Sequence, residues 1–535
     1  HFRTLPPPPS GTDVALESST GSFGLRTVQG GVAGSLGEGG YRASVADLRF
    51  DGFRTNPLDG ASGTFGEARR TIVNATATLP VGGGTLRAVF NGLDMAADNP
   101  GSLSQELLDE GDRQAFRFNV LQQTREDILQ GQLGLTWNGR LGALDGQVGV
   151  WGIRRDFLGA IPPAVVEFDR NAGGVRALFE GGTETPLGLL TLGGGVEVEL
   201  QSDDRRNWDN DGGERGALSL DQDERVRSTG TFAQARLDVS GSVAVLGGLR
   251  WDRFRFEADD RFRADGSDDS GSRTMDAVSP SAGLVVDPAP GLQLFASVAT
   301  SFETPTTTEL TNRPDGSGGF NPELDPTRGL SVEGGVRGRL GDGWFFEATA
   351  YRTSLDEELI PFEVPAQPGR TFFRNAGESR HTGFEVTLDG RLAPEMPMRV
   401  AYTRVNGRFE AYEVEGEDLS GNRLPGIAPN RLDGRVAWEP QGLGFVELRG
   451  LWQDDVPVND ANTASSPSYF LADVRGGLEG IEAGGVVVAP WAAVTNVLDR
   501  RYNTAVTVNA FGGRYFEPGP GRSVRVGLRL TWDTR

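Results

Sequence analysis

Apolar and polar residues alternate along many segments of the chain. In the clearest segment, apolar side chains occupy every second position and polar residues or glycine fill the positions between: Val524, Val526, Leu528, Leu530 and Trp532 against Arg525, Gly527, Arg529 and Thr531. The same alternation occurs in residues 70–79, 232–239 and 330–340. A period of two residues predicts β-strands with one apolar and one polar face. Helical periodicity is scarce, and the best helical candidate is residues 103–110.

Short turn signals punctuate these strands and alternate with long polar segments. The turn signals recur near residues 35–39, 80–84, 139–143, 186–188, 239–242, 288–291, 341–343, 393–397, 440–443 and 479–484. The long polar segments include residues 92–127, 202–226, 253–276, 301–327 and 501–519. Ten short turns, with one further strand at each end of the series, predict 22 strands. Even strand numbers, short periplasmic turns and long external loops are typical of outer-membrane barrels. We therefore predict an all-β fold, a 22-stranded antiparallel transmembrane β-barrel.

The tryptophans support a membrane barrel because most of them fall at the ends of predicted strands. Three lie beside short turns and three lie where strands enter long loops: Trp137, Trp344 and Trp438, and Trp151, Trp251 and Trp452. Two aromatic belts are what the two membrane interfaces select, so these six are predicted interface residues. Burial in a soluble β-core is the alternative, but a core does not require tryptophans to cluster at strand ends.

Composition narrows the functional classes. The chain of 535 residues has no Cys and only two His, so disulfides, thiolate metal sites and multi-histidine sites have no candidates. His381 is the one internal histidine, and no catalytic constellation is evident, so we do not expect an enzyme. The net charge of −22 argues against a nucleic-acid partner, which would need a basic surface. All 52 basic residues are Arg.

Several segments, in family order, resemble the barrel of a TonB-dependent outer-membrane receptor. They are "SFETPTTTEL" (301–310), "NPELDPTRGLSVEGGVRG" (321–338), "NAGESRHTGFEVTLDG" (375–390), "LPGIAPNRLDGRVAW" (424–438), "YFLADVRGG" (469–477), "NVLDRRYNT" (496–504) and "GRYFEPGPGRSVRVGLRLTW" (513–532). The resemblance runs from about residue 10 to 532 and implies a bacterial outer-membrane location. The terminal pattern Arg525, Gly527, Leu530 and Trp532 fits the signal by which barrel-assembly machinery recognises a last strand.

The first residues resemble the end of the family's plug domain. "HFRT" (1–4) is similar to the tail of the last plug strand, and prolines 6–9 predict a stiff connector. Residues 17–34 resemble the first barrel hairpin. We therefore expect residues 1–12 to be a plug remnant with its linker and residues 13–535 to be the barrel. The resemblance implies coupling to TonB through a plug domain that this chain lacks.

Candidate ligand contacts come from the loops that the resemblance places at the mouth of the barrel. Arginines and aromatics there are expected to contact a solute: Phe302, Arg313, Phe320, Phe373, Arg374 and Arg380. A negatively charged vestibule would disfavour a highly anionic ligand unless arginines line its inner wall. "DNDGGE" (209–214) resembles a calcium-loop fragment through Asp209, Asp211 and Glu214, although it lacks full EF-hand spacing. A solvated charged loop is the alternative, and no cofactor is otherwise expected.

The resemblance implies TonB-dependent, energy-coupled uptake of a scarce solute across the outer membrane. A ferric siderophore is expected as the commonest family substrate, while cobalamin, other metal chelates and glycans remain alternatives. Two other functions stay open: a plugless passive porin or export pore, and a structural surface barrel of a larger assembly. The expected partners are the TonB system, a small metal chelate, outer-membrane lipids and the barrel-assembly machinery.

Overall fold

The structure, a computed structural model, is a closed antiparallel β-barrel and describes residues 8, 10–58, 63–111, 113–341 and 343–533. Twenty-two strands cross the barrel, as the turn pattern predicts. The first strand pairs with the last from Asp13–Asp533 to Gly21–Arg525, which closes the sheet. The predicted plug remnant and linker fall almost wholly outside the described residues. None of the helices in the described ranges is long and apolar enough to cross a membrane.

The strands lengthen from 10 residues in the first to 27 in the tenth, and the last five have 9–11 residues. The first eleven are β1 Thr12–Gly21, β2 Arg26–Leu36, β3 Gly39–Phe50, β4 Ala68–Val81, β5 Gly84–Asp98, β6 Arg125–Leu141, β7 Leu144–Ile161, β8 Ala164–Thr185, β9 Gly188–Asp211, β10 Glu214–Ser240 and β11 Val243–Asp260. The others are β12 Gly271–Ala289, β13 Leu292–Glu303, β14 Thr327–Leu340, β15 Trp344–Phe362, β16 Phe372–Ala393, β17 Met396–Ala411, β18 Asn430–Trp438, β19 Gly444–Gln453, β20 Tyr469–Leu478, β21 Val486–Thr495 and β22 Ser523–Asp533. A three-residue segment, Ile481–Ala483, continues β20 after a break and pairs with the start of β21.

All ten predicted short turns lie at one end of the barrel. Each coincides with a connection between paired strands, such as residues 82–83 between β4 and β5 and residues 241–242 between β10 and β11. The loops at the other end carry the remaining secondary structure: the helices Gln105–Gly111, Arg117–Leu121 and Thr307–Thr311, the 3₁₀ turn Phe511–Gly513, and four small two-stranded ladders. The first helix overlaps the segment predicted to be helical, residues 103–110, and ends one residue beyond it.

Two predicted loops are largely strand. β11 and β12 pair over residues 253–258 and 271–276, which leaves residues 261–270 as the loop. Residues 202–226 are almost entirely β-ladder, because β9 and β10 pair across this segment, with register irregularities around residues 207–210, and reverse at Gly212 and Gly213. Both glycines have positive φ, 63° and 95°, a conformation that L-residues rarely adopt and that suits a tight hairpin. The acidic stretch is therefore the upper half of a rigid hairpin.

The alternation in sequence becomes an apolar outer face and a polar inner face. On β22, Val524, Val526 and Leu528 are exposed on the outside. Arg525 lies on the inner face, where its guanidinium donates to the hydroxyls of Ser19 and Thr27 at 2.8 Å each. An apolar exterior suits lipid, while the polar interior can be hydrated or filled by protein.

Five of the six predicted interface tryptophans face outwards. Each of these five shares its face with an exposed apolar partner or with an outward-facing neighbour on the next strand: Trp137, Trp251, Trp344, Trp438 and Trp452. Trp151 corrects the prediction. Its neighbour Val150 is 47% exposed on the outside, so Trp151 points into the lumen opposite Gly134. It also lies in the middle of β7 and not where the strand enters its loop.

Two inward-facing tryptophans lie opposite glycines, and the space that each tryptophan leaves for a side chain at its glycine is very different. At Gly527, an added Cβ would lie 2.5 Å from Cε2 of Trp491, whereas at Gly134 it would lie 3.9 Å from Cβ of Trp151. Trp491 is also held between the guanidiniums of Arg475 and Arg525, 5.0 and 5.1 Å from the ring. We expect Gly527→Ala to destabilise the barrel by about 1–3 kcal/mol, because the indole must move out of this stack.

The matched control is Gly134→Ala, which introduces the same methyl group opposite a tryptophan at ordinary contact distance. Heat-modifiable electrophoretic mobility, followed over temperature, measures the folded fraction of both variants. Equal melting midpoints for the two variants would contradict the proposed close approach at Gly527.

Candidate functional site

The site is a cavity of about 580 Å³ in the lumen, against the inner face of the barrel wall and near its loop end. The inner faces of β7 to β11 form one side of it. The short helix Thr307–Thr311, with the residues just before it, and residues 369–371 form the other side. Its volume is in the range of small-molecule sites, about 300–1,000 Å³. A rigid sheet and two loops therefore enclose it together.

Aromatic rings line the sheet side of the cavity. Phe157 and Phe168 are cross-strand partners, and their rings stack with centroids 4.6 Å apart and an interplanar angle of 13°. Phe254 and Phe256 are two residues apart on β11, so both side chains point inward, with ring centroids 6.4 Å apart. Aromatic pairs of this kind supply a large apolar surface with a defined orientation.

Four arginines line the same cavity. Arg170 donates a bidentate pair of hydrogen bonds to the carboxylate of Asp203, at 2.9 and 2.7 Å. Its guanidinium lies 4.9 Å from the centroid of the Phe168 ring. Arg205 is paired with Glu224, their Nε and Oε1 atoms 3.7 Å apart, and both side chains are almost completely buried. Because Nε of Arg205 has no hydrogen-bond partner in the described part of the protein, this pair leaves donor capacity unused.

The other two arginines have no carboxylate partner among the described residues. Arg155 donates from Nε to the side-chain oxygen of Gln130 at 2.7 Å. Arg370 donates to the side-chain oxygens of Gln367 and Asn312 at 2.9 and 3.1 Å. Burial, with the positive charge of Arg205, lowers the pKa of Arg370 to about 10. It therefore remains charged at neutral pH.

The six candidate ligand residues from the sequence lie outside this lining. Phe320 is buried in a loop core with Phe256 and Leu310, and Phe302 and Phe373 pack against that core. Arg313 donates to the carbonyl of Gly318 at 3.0 Å. Ligand contact by these four residues stays a prediction, since the structure shows only their packing.

The remaining two candidates, Arg374 and Arg380, also have partners within the protein. The guanidinium of Arg374 lies 4.3 Å from the ring of Phe362, and Arg380 is ion-paired with Glu410. The cavity arginines escaped sequence reasoning because three of them lie on strands whose inward face was not assigned. The signal that could have found them is the pattern Arg-x-Phe or Phe-x-Arg, as in Arg155–Phe157 and Phe168–Arg170.

The candidate cation residues belong to the tip of the β9–β10 hairpin. Asp211 pairs directly with Glu214 across the turn, and Asp209 lies two residues earlier on the same strand. Asn210 fixes this turn, since its side-chain amide donates to the carbonyls of Gln122 and Ile161 at 3.0 and 2.8 Å. In the ranges that the structure describes, no three Asp, Glu or His side chains come close enough to hold a metal.

Asp460 ties three loops together beside the site. Its carboxylate accepts from the hydroxyl of Tyr412 at 3.0 Å and from the side-chain amide of Asn509 at 2.9 Å. Its backbone carbonyl accepts from the side chain of Asn422 at 3.0 Å. Burial raises the pKa of Asp460 and also that of Tyr412. The polar network thus joins residues 412–429, 454–468 and 496–522.

A second buried pair links further loops. Arg514 donates to Glu363 at 2.7 Å, with side chains only 9% and 4% exposed. The guanidinium of Arg514 also lies 4.7 Å from the ring of Phe116. Leu103 and Phe516 exchange backbone hydrogen bonds at 2.8 and 3.0 Å. The loops therefore form one connected cap at this end of the barrel.

Comparison with known proteins gives the family. The family description "TonB dependent receptor-like, beta-barrel" matches residues 35–483, most of the chain. The chain belongs to the TonB-dependent receptor family. It is an outer-membrane β-barrel, and its relatives are transport receptors, not enzymes. This confirms the family resemblance, and the internal segments that carry it lie within the matched residues.

Two curated relatives and one solved structure are similar to this TonB-dependent receptor barrel. The chain is 26% identical over 331 residues to the metal-pseudopaline receptor CntO of Pseudomonas aeruginosa, covering 58% of this chain and 41% of that receptor. It is 22% identical over 324 residues to the probable TonB-dependent siderophore receptor PiuA of Acinetobacter baumannii, covering 58% and 42%. Unliganded ferric citrate transporter FecA superposes with a TM-score of 0.81 at 14% identity, covering 99% of this chain and 79% of that one. The match thus spans less than half the length of these two curated relatives.

The loop cap of the receptor barrel depends on Asp460 as an acceptor. Asp460→Ala should weaken the packing of residues 454–468 by about 1–3 kcal/mol, because the buried Tyr412 hydroxyl and Asn509 amide lose their acceptor. Hydrogen exchange of this loop should become faster by the corresponding factor.

Asp455→Ala is the control within the same loop. It removes a half-exposed ion pair to Arg423 at 2.9 Å, and exposed pairs of this kind contribute about 0–1 kcal/mol. Equal acceleration of exchange in both variants would show that Asp460 is not the central acceptor of the cap.

Proposed function

We propose that this barrel is the wall and loop portion of a receptor that imports a metal chelate, a ferric siderophore, by TonB-dependent transport. The observation that carries this proposal is the loop-covered cavity lined by arginine and aromatic side chains. A small-molecule receptor needs a concave, largely apolar site with a few oriented polar groups. The cavity between β7–β11 and the cap has these features.

The curated relatives support the choice of a metal chelate. Their names describe a metal-pseudopaline receptor and a probable siderophore receptor. The aligned part of each relative is only 41–42% of its length, so coupling to TonB through a plug domain is part of the proposal for the whole protein.

The geometry suggests how capture would work. The sheet side of the cavity is held by continuous ladders, whereas Thr304–Thr308 and Arg370 come from loops. A solute entering from outside would displace or close these loops over itself, which sequesters it from water. Release to the opposite side needs a separate, energised movement, which we assign to the plug and TonB.

The test uses the full-length natural protein in its own bacterium. Deleting its gene should abolish uptake of at least one radiolabelled iron chelate and slow growth under iron limitation. Deleting the gene for TonB should give the same loss, and the gene on a plasmid should restore uptake in the first strain only.

Two results would favour the other functions. Uptake that persists without TonB, together with large steady conductance in planar bilayers, would indicate a passive pore. Unchanged uptake and growth of the deletion strain, on a panel of chelates, would indicate a structural surface barrel.

A further inference from the structure

We propose that the cavity selects an anionic, aromatic metal chelate of the catecholate class, with the negative oxygens bound between Arg205 and Arg370. This inference rests on the proposed function, and it adds the charge and chemistry of the substrate.

The first step is the charge of the lining. Among the described residues, four arginines line the cavity and no Asp or Glu does: Arg155, Arg170, Arg205 and Arg370. Asp203 and Glu224 are buried beside Arg170 and Arg205 and offset two of these charges. Two guanidiniums, those of Arg155 and Arg370, remain uncompensated. The cavity is therefore electropositive within a chain whose net charge is −22.

The second step is that two guanidiniums converge on one short helix. Arg205 donates from Nη1 to the hydroxyl of Thr308 at 3.4 Å, and Arg370 donates from Nη2 to the side chain of Asn312 at 3.1 Å. Thr308 and Asn312 are four residues apart, so they lie on the same side of one helical turn. Two positive groups are thus held near each other, and of the two only Arg205 has a carboxylate partner among the described residues, Glu224.

The third step concerns the electrostatic repulsion between the guanidiniums of Arg205 and Arg370. The charge of Arg205 disfavours the protonated form of Arg370, in addition to the effect of burial. Nε of Arg205, on a side chain only 2% exposed, has no acceptor within the described ranges. An anionic oxygen between the two guanidiniums would offset this repulsion.

The fourth step is the apolar half of the ligand. The stacked rings of Phe157 and Phe168 lie on the same wall as Arg155 and Arg170. Phe254 and Phe256 extend this surface on β11. Aromatic rings that carry negative oxygens can stack on such a surface while their oxygens reach the arginines. A catecholate combines these two properties, whereas a hydroxamate complex without net charge has neither.

The experiment measures binding of two iron(III) complexes to the full-length receptor in detergent. The probes are an anionic tris-catecholate complex and an uncharged tris-hydroxamate complex, and the readout is quenching of intrinsic fluorescence. The catecholate complex should bind the unmodified receptor more than about tenfold tighter. Arg370→Gln should weaken catecholate binding by about tenfold or more, because a buried charge partner is lost.

Two further variants keep the test decisive. Arg155→Gln removes the other uncompensated charge and should also weaken catecholate binding, which covers the case of a misfolded Arg370→Gln. Arg206→Gln is the matched control, since Arg206 adjoins Arg205 on the outer face and pairs with Asp204 at 3.1 Å. It should leave binding unchanged. Heat-modifiable mobility checks that all variants fold.

The remaining outcomes overturn the inference in distinguishable ways. Equal or tighter binding of the hydroxamate complex, equal effects of Arg370→Gln and Arg206→Gln, or binding of neither complex would reject the catecholate assignment. In these cases, chelate uptake that still requires the gene and TonB leaves the proposed function standing. Absence of any gene-dependent chelate uptake would reject both.

Discussion

The structure depends on one constraint, the pairing of every backbone donor and acceptor at membrane depth. The ladder between β1 and β22 meets it by removing the two free edges that the sheet would otherwise have. An unpaired peptide group in lipid costs several kcal/mol, so closure is required of a sheet that crosses a membrane. Alternation of side chains follows from closure, because each strand then has one face towards lipid and one towards the lumen.

That constraint explains what the sequence could predict. Strand number followed from the short turns, since each must reverse the chain within a few residues and so needs turn-forming residues. The acidic segment 202–226 was misjudged because solvated strands above the membrane lose the apolar face that identifies a strand. Trp151 was misassigned because β7 continues for ten residues beyond it, and because the face that a side chain occupies depends on parity within the strand.

The site was harder to predict than the fold. Arg170 and Asp203 are 33 residues apart, and Arg205 and Thr308 are 103 apart, so their proximity arises only from register across several strands. The phenylalanines at 302, 320 and 373 pack in or against the loop core, and ligand contact by them stays a prediction. Loops that cover a lumen need a hydrophobic core of their own. The sequence alone does not show whether a loop phenylalanine packs in that core or contacts a ligand.

The cavity has two halves of different construction. Its wall half consists of side chains fixed by ladders such as Phe157–Phe168, and its cap half consists of loop residues around Thr308 and Arg370. A graft of residues 304–326 and 363–371 from another receptor would alter ligand preference without disturbing strand register. The barrel is in this sense a scaffold in which the sheet fixes the aromatic rings and three of the four cavity arginines, while the loops supply Thr308 and Arg370.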